Sequence, residues 1–405
     1  IGSDCKSSGD MARRDRNVAM SRVFLIIPVI AFNIVFFVFP LSLVILMSVR
    51  DTKFADAMPG TALALSDWKG EALPSEEIYG ILVMDLREAT RSRILPGAAQ
   101  RLNYELPGFN SLLINTGRKA ETLSPPYRES VIAFDARWAN LDYWRVAASA
   151  SSSYTTYFLL ASLDLKRQPD GEIERAPDDK RVYIATLGRT LWISVAVTLL
   201  CLLLGYPMAF LISVSTSNIR TFLIGCVMVP FWMSLLVRTS AWVVLLQKNG
   251  LVNDSLQWLG ITDEPLPLIF NRSGVYVAMS HILLPFMILP IYSVMQGIKK
   301  DQLRAAASLG ARPTAAFLSV YLPQTLPGVA AGALLVFIMS IGFYVTPALV
   351  GSGSDQMLSY LIAQFTTQNA NWGMASSLAL LLMLTVVVAF VVVERLTGAR
   401  KSSVA

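Results

Sequence analysis

Six long apolar windows constrain this sequence more than any other feature. Five of them contain no Asp, Glu, Lys or Arg, and the sixth is interrupted only by Arg238. A helix needs about 20 apolar residues to cross the hydrocarbon core of a membrane, and helices satisfy their backbone hydrogen bonds there without water. We therefore predict six membrane-spanning helices, at 23–49, 190–214, 221–246, 274–296, 328–350 and 374–393.

The composition agrees with a membrane protein. Of the 405 residues, 54% are hydrophobic and 15% are charged, and the mean hydropathy is +0.52. Soluble domains carry about 25% charged residues, so the apolar excess is too large for one globular core. The predicted fold class is an all-α polytopic membrane protein.

The positive charge is unevenly distributed. Residues 50–181 hold 17 of the 34 Lys and Arg residues and 19 of the 28 Asp and Glu residues, which leaves 17 basic and 9 acidic residues elsewhere. The net charge of +6 therefore belongs to the membrane part and does not indicate a nucleic-acid-binding patch. Cytoplasmic loops carry an excess of Lys and Arg, which predicts cytoplasmic tails at 1–22 and 396–405.

The long polar segment 50–183 is then predicted to lie outside the cytoplasm, between the first two spans. Its periodic apolar residues and Pro/Gly breaks predict a mostly helical extracytoplasmic insertion. The mixed charges of 164–181 predict a solvated connector. Cys5, Cys201 and Cys226 all lie outside the insertion, which excludes a disulfide scaffold within it.

The segment 297–327, between the fourth and fifth predicted spans, has the pattern of a cytoplasmic helical elbow. Ala305–Ala307 favour a helix, Gly310 suits its C-terminus, and Pro313 suits the first turn of a second helix. These residues fit both a simple connector and a helix that docks in another protein's groove. The second helix is predicted to have an apolar face formed by Phe317, Val320 and Tyr321. It is predicted to end before the next span, at Pro323 and Pro327.

This elbow resembles the signature loop of binding-protein-dependent ABC importer permeases. The family pattern is Glu-Ala-Ala, three residues, Gly, nine residues, then an aliphatic residue near Leu-Pro. The resemblance implies docking into a groove of an ATPase subunit, with small residues for close packing and the Leu-Pro pair closing the elbow. A base stands at the Glu position, so the charge contact departs from the family pattern. The corresponding residues are Arg304, Ala305, Ala306, Gly310, Leu322 and Pro323.

The resemblance covers about residues 184–395, and the motifs in this region are similar to those of the spermidine/putrescine-type subfamily. It rests on LLGYPMAFLI, VPFWMSLLVRTSAWVVLLQKNGLVN, HILLPFMILPIYSVM and YVTPALVG. It implies a permease core at 184–395 with the type I, MetI-like fold, and import of a polyamine such as spermidine or putrescine. Related subfamilies import opines, aminoethylphosphonate and other small solutes, which remain alternatives.

The implied partners follow from the same resemblance. They are a second, homologous permease subunit, two ATPase subunits that hold ATP and Mg²⁺, and a periplasmic solute-binding protein. The chain would be a multi-pass protein in the lipid of a bacterial inner (plasma) membrane. It would not be an enzyme and would need no cofactor of its own.

Six residues are candidates for lining the translocation path. An arginine within a span either faces protein or water, or extends its side chain so that the charge reaches the membrane–water interface. Aromatic rings either anchor spans or stack on a cationic solute. His281 is predicted to pack with a hydrogen bond rather than to relay protons. The candidates are Trp232, Arg238, Trp242, Phe286, Phe343 and Tyr344.

The absence of several motifs argues against other classes of function. The apolar spans contain no Asp or Glu, which argues against a proton- or sodium-driven secondary transporter. There is no G-x-x-x-x-G-K-[ST] motif for phosphate binding, and one His and three Cys offer few metal ligands. A membrane-anchored sensor that works through residues 50–183 is a further alternative.

Overall fold

The computed structural model describes residues 26–168 and 172–402 and is largely helical in them. Two compact units are formed, one by Ile1–Leu159 with Arg167–Glu172 and the other by Leu160–Lys166 with Ile173–Ala405. The predicted tail 1–22, residues 23–25 of the first predicted span and residues 403–405 of the other tail lie outside the described residues.

Helix α1, Ile26–Val49, begins the described chain. Its turn at Ile34–Val38 is a π-helix in which the Phe39 N–H donates to the Ile34 carbonyl. Pro40 follows directly and has no N–H to donate. A wide turn of this kind absorbs the missing bond without ending the helix.

The first unit has its own hydrophobic core within the segment predicted to be helical, and that helical character is confirmed. Trp138 and Trp144 lie at its centre, with ring centroids 5.1 Å apart, and Tyr79 contacts Trp144 edge-on at 4.8 Å. All three are at most 1% exposed. The surrounding helices are α2 Lys53–Ala57, α3 Pro59–Ser66, α4 Glu76–Arg91, α5 Leu95–Glu105, α6 Phe109–Lys119, α7 Tyr127–Phe134, α8 Leu141–Ser149 and α9 Tyr157–Ser162.

The predicted connector at 164–181 contains two short strands, β1 Leu165–Arg167 and β2 Ile173–Arg175, which form a small sheet. Asp164 precedes them, and its carboxylate accepts hydrogen bonds from the backbone N–H groups of Val182, Tyr183 and Ile184 at 3.2, 3.1 and 2.8 Å. These groups lie at the N-terminus of α10, where a negative charge is favourable. The connector therefore also caps the following helix.

Three long helices form the core of the second unit: α10 Tyr183–Val214, α14 Arg272–Gly297 and α16 Pro313–Gly342. Gly205 and Gly332 both face Met287, and a Cβ at either position would lie 3.0 Å from an atom of that residue. Small residues at such contacts let helices approach closely in a membrane. The core is therefore assembled around α14.

The third predicted span, 221–246, is wrong as a single helix. The structure has α11 Ser217–Trp232 and α12 Leu235–Leu245, bent by 99° at the break between them. Met233 and Ser234 are extended, and the Ser234 hydroxyl accepts a hydrogen bond from the Val237 N–H at 3.2 Å. This serine begins a new helix as an N-cap, a signal that hydropathy alone does not show.

The fifth predicted span, 328–350, is also wrong in its limits. Helix α16 begins at Pro313, passes Pro323 and Pro327 without a break, and ends at Gly342. A π-helical turn at Phe317–Tyr321 precedes the prolines, and the Leu322 N–H donates to the Phe317 carbonyl. The widened turn accommodates them. The elbow therefore has no second boundary at 327, and Leu322–Pro323 do not close it.

The remaining predicted spans agree with helices of slightly different length. Among residues 26–168 and 172–402, five helices can cross a membrane by length and composition, and the bent pair α11–α12 would be a sixth if it counts as one span. The other elements of the second unit are α13 Leu251–Trp258, α15 Lys300–Ser308, α17 Val345–Val350, α18 Leu358–Thr367 and α19 Trp372–Ser402.

Candidate functional site

The first helix of the elbow, α15, ends in a well-defined stop. Gly310 has a φ of +84°. Its N–H donates to the Ala307 carbonyl at 2.9 Å, and the Ala311 N–H donates to the Ala306 carbonyl at 3.1 Å. This pair of bonds is a Schellman motif, which needs a left-handed residue at the position of Gly310. The predicted helix break at Gly310 is confirmed.

Helix α15 is largely exposed and lies in a basic segment of the chain. Segment 297–327 contains four basic residues and one acidic residue, Asp301. Asp301 and Arg304 form an ion pair at 3.5 Å with side chains 85% and 79% exposed, so water screens it strongly. Ala305 is exposed, Ala306 is half-buried, and Leu309 is 89% exposed. The helix thus offers small and apolar side chains beside positive charge.

The first turns of α16 join the elbow to the core. Phe317 and Tyr321 stack at 5.6 Å, and both meet the ring of Phe210 on α10 edge-on, at 5.7 and 5.6 Å. Tyr321 is 6% exposed. Farther along, the hydroxyls of Tyr206 and Thr325 are 3.2 Å apart. The first turns of α16 therefore connect the elbow to α10.

The predicted path residues on α11 and α12 are separated by the bend. Trp232 is at the end of α11 and is 87% exposed. Arg238, on α12, is half-buried and its Nε has no hydrogen-bond partner among the described residues. One turn later, the Trp242 Nε1 donates to Nδ1 of His281 on α14 at 3.1 Å. The prediction that His281 packs with a hydrogen bond is confirmed.

The three remaining path candidates are not brought together as a ring cluster in the described residues. Phe286 instead packs against Phe231, with centroids 5.0 Å apart. The Phe343 carbonyl accepts a hydrogen bond from the Ser359 hydroxyl at 2.6 Å, and Tyr344 is 45% exposed. Phe231 was missed because its neighbour Trp232 is the more conspicuous aromatic residue.

A polar clamp at the start of α14 was also missed by sequence reasoning. Arg272 forms an ion pair with Asp355 at 3.0 Å, and Asp355 also accepts from Ser352 in a capping box. Burial alone would raise the pKa of Asp355, but hydrogen bonds from Ser352 and Arg272 outweigh it and lower the pKa below its usual value. The Ser-x-x-Asp spacing was the signal available in the sequence.

The described residues contain no group of three His, Cys, Asp or Glu side chains arranged to hold a metal ion. The surfaces in the described part of the chain that could bind a partner or a solute are the basic and apolar elbow, Arg238, whose Nε has no hydrogen-bond partner there, and the aromatic rings along bent helices.

Comparison with known proteins gives the class. Residues 201–400 match the family described as binding-protein-dependent transport system inner membrane component. The spermidine/putrescine transport system permease protein PotB of Escherichia coli (strain K12) is 33% identical over 205 residues, which cover 50% of this chain and 74% of that protein. The chain belongs to this family of inner membrane components. It is the permease subunit of an ABC importer.

One further relative agrees with this class. The inner membrane ABC transporter permease protein YdcU of Escherichia coli (strain K12) is 38% identical over 177 residues, or 40% of this chain and 56% of that one. The chain also matches a crystal structure of a bacterial alginate ABC transporter in complex with an alginate pentasaccharide-bound periplasmic protein. The match covers 54% of this chain and 78% of the chain in that structure. That match has 18% identity and a TM-score of 0.43.

Proposed function

We propose that this permease subunit imports polyamines, such as spermidine or putrescine, and that its elbow couples transport to ATP hydrolysis on separate subunits. The similarity to PotB supports the solute class. The observation that carries the coupling role is the exposed helix α15, which ends in a Schellman stop and continues into a helix packed on the core.

In this proposal α15 lies in a groove of an ATPase subunit that binds ATP and Mg²⁺. Ala305 and Ala306 permit close approach, Leu309 enters an apolar pocket, and Arg304 meets an acidic group on the ATPase. Closure of the two ATPase subunits moves α15. The contact of Phe317 and Tyr321 with Phe210 carries that movement to α10 and α16.

The complete importer would contain a second, homologous permease and a periplasmic solute-binding protein. Six spans, with the bent pair counted as one, would put both termini on the same side of the membrane, and the basic residues of the two tails favour the cytoplasm. Residues 50–183 then lie on the periplasmic side and contact the binding protein. A separate hydrophobic core, which includes buried Trp138 and Trp144, makes the first unit suitable as a rigid docking surface.

Arg238 favours a second candidate for the solute. Arg238 is half-buried, and its Nε has no hydrogen-bond partner in the part of the chain that the structure describes; such a guanidinium repels a polycation and attracts a carboxylate or phosphonate. An opine or aminoethylphosphonate carries both an amine and such an acidic group. If polyamines do pass, the charge of Arg238 has to be neutralised by another subunit.

ATPase activity of the complex in proteoliposomes tests the solute. The complex and its binding protein are supplied with spermidine, putrescine, an opine or aminoethylphosphonate. Stimulation by a polyamine alone supports the first candidate, and stimulation by an acidic solute alone supports the second. No stimulation by any polyamine removes the polyamine assignment.

Purification of the tagged chain with its native neighbours tests the coupling role. We expect a nucleotide-binding subunit and a second permease in the same complex. Arg304→Glu should reduce the amount of ATPase recovered, whereas the exposed Arg312→Glu, outside α15, should reduce it less. Transport without any ATPase would favour a secondary transporter, and function without α15 would favour a sensor.

A further inference from the structure

We propose that residues 247–266, between α12 and α14, form an interfacial anchor that lies in the headgroup region of the lipid bilayer. We refer to these residues as the interfacial loop. The proposal depends on the membrane-protein class and not on the identity of the solute. The interfacial loop has a rigid backbone, a buried inner face and an exposed apolar outer face.

The backbone of the interfacial loop is closed by one buried side chain. Asn253 is fully buried. Its Nδ2 donates to the carbonyls of Gln247 and Leu266 at 3.1 and 3.0 Å, and its Oδ1 accepts from the Leu266 N–H at 2.9 Å. One amide therefore joins the beginning of the loop to its end. Buried side-chain amides bonded in this way hold a single conformation.

The inner face of the loop packs against the helices on either side of it in the second unit. Val252, on α13, lies against a small buried cluster at the ends of the neighbouring helices. The Phe270 N–H, just beyond the loop, donates to the Val350 carbonyl at 2.8 Å. The cluster consists of Leu246, Ala278 and Val350, with Trp242, Val243, Leu268 and Ile269 beside it.

The outer face is apolar and exposed. Leu251 and Trp258 are seven residues apart on α13, so they share one face of the helix, and they are 66% and 86% exposed. Leu259 and Ile261 continue this surface and are 60% and 64% exposed. Four large apolar side chains on a rigid support are more than the single exposed residues that a water-facing surface tolerates.

The position of the loop identifies the lipid interface as the occupant. Its two ends continue into α12 and α14, elements of the membrane part, and Val244 at the end of α12 is 62% exposed. An exposed apolar side chain of the membrane part therefore lies just before the loop in the sequence. Tryptophan is enriched where lipid meets water. Asp254 is exposed on α13 itself, which places the helix among headgroups rather than in hydrocarbon, where a carboxylate is costly.

Spin labelling of the complete importer in nanodiscs of phosphatidylethanolamine and phosphatidylglycerol tests the proposal. Cys5 and Cys226 are replaced by Ser, and Cys201 stays because its thiol is fully buried. Nitroxides are placed by Trp258→Cys or Ile261→Cys. The matched control is Asp263→Cys, an exposed acidic position in the same loop.

We expect the labels at 258 and 261 to collide with oxygen in the bilayer and to be shielded from a water-soluble nickel chelate. The label at 263 should show the reverse. Equal access of the nickel chelate to all three positions would overturn the proposal. Shielding that arises only when the solute-binding protein is added would also overturn it, and would assign the face to that protein.

A label-free measurement avoids any effect of the nitroxide. Brominated lipids quench tryptophans that contact the bilayer, and Trp258→Phe removes one indole while it keeps the apolar face. We expect the variant to lose part of the quenchable fluorescence. An unchanged quenchable fraction, with the complex intact by size-exclusion chromatography, would contradict the anchor.

Discussion

At the scale of single residues, Gly310 decides where the first elbow helix ends. Its φ of +84° lies in the left-handed region, and no atom would lie within 4 Å of an added Cβ. A side chain there meets open space, so its cost is purely conformational. The position separates backbone strain from steric conflict, which few glycines in a folded protein allow.

Replacing Gly310 by Ala should weaken the stop and misplace α15. The left-handed conformation costs an alanine roughly 1–2 kcal/mol, and we expect lower solute-stimulated ATPase activity in proteoliposomes. Gly297→Ala is the matched control, because it also meets open space and lacks a positive φ. Equal activity of the two variants would argue against a role for the Gly310 conformation.

Arg101 is a second residue whose role depends on tertiary structure. It is 2% exposed, pairs with Asp51 and, at 2.7 Å, with Glu105, and lies over the rings of Tyr157 and Phe158 at 4.5 and 5.0 Å. Burial opposes its charge, but the two carboxylates outweigh burial and raise the pKa of its guanidinium. The guanidinium of Arg101 therefore links α5 to Asp51, which precedes α2, and to Tyr157 and Phe158 on α9.

Arg101→Met should destabilise the first unit by about 3–5 kcal/mol, because it leaves Asp51 buried without its partner. Arg145→Met, which removes a half-exposed pair with Asp142 at 3.6 Å, should cost under about 1 kcal/mol. Limited proteolysis and thermal unfolding of the purified chain measure the difference. Similar losses in both variants would refute the stabilising role of the Arg101–Asp51 pair.

At the scale of elements, α16 is one helix that performs two tasks. Its first turns carry aromatic contacts to α10, and its later turns pack against α14 at Gly328 and Gly332. Continuity through Pro323 and Pro327 makes the elbow a rigid extension of a span. A flexible joint at the prolines would have dissipated the movement that ATPase closure is proposed to produce.

Phe317→Ala should separate docking from coupling. The ATPase should still be recovered with the complex, because α15 is untouched, while solute-stimulated ATPase activity falls. The stability loss should stay below the roughly 3–5 kcal/mol of a fully buried Phe→Ala change, since Phe317 is half-buried. Leu318→Ala, at a neighbouring side chain that is 60% exposed, is the control and should retain stimulation. Loss of the ATPase from the Phe317 variant would contradict this division.

The clamp between Arg272 and Asp355 predicts a pH dependence. A lowered folded-state pKa means that its stabilisation is fully present above the pKa of an unfolded aspartate, about 3.9, and is lost as pH falls through the lower folded value. Asp355→Asn should therefore lower the thermal midpoint at neutral pH, and the difference should shrink at acidic pH below that value. The exposed Asp263→Asn should show no such trend. A constant difference at all pH values would refute the clamp.

In the whole molecule, residues 53–152 of the first unit form a block whose two flanks lie side by side. The flanks meet through backbone bonds from Asp51 N–H to the Ser153 carbonyl at 3.0 Å and from Thr155 N–H to the Val49 carbonyl at 2.7 Å. Replacing 53–152 by a short Gly-Ser linker should leave recovery of the ATPase unchanged and abolish stimulation by the binding protein. Unchanged uptake would remove the proposed role of the insertion.

Much of the architecture was predictable because hydrophobic patterns act locally. Charge-free windows located the long helices, and the Gly310 and Pro313 signals located the elbow break. The errors arose where one local signal opposed another. Ser234 starts a helix inside an apolar window, and the π-helical turn before Pro323 preserves a helix that two prolines were expected to end.

A membrane-embedded helical protein follows from the amino-acid sequence, because apolar residues have to be buried and unpaired backbone groups are costly in lipid; the permease class followed from the resemblance of its motifs to a known family. Which side chains meet could be seen only in the folded chain: Phe317 and Tyr321 on Phe210, Trp242 on His281, and Arg101 between carboxylates and rings. The paired rings are 39 to 111 residues apart in the sequence, and the contacts of Arg101 join several elements. Such contacts depend on how helices pack in space, which local patterns do not encode.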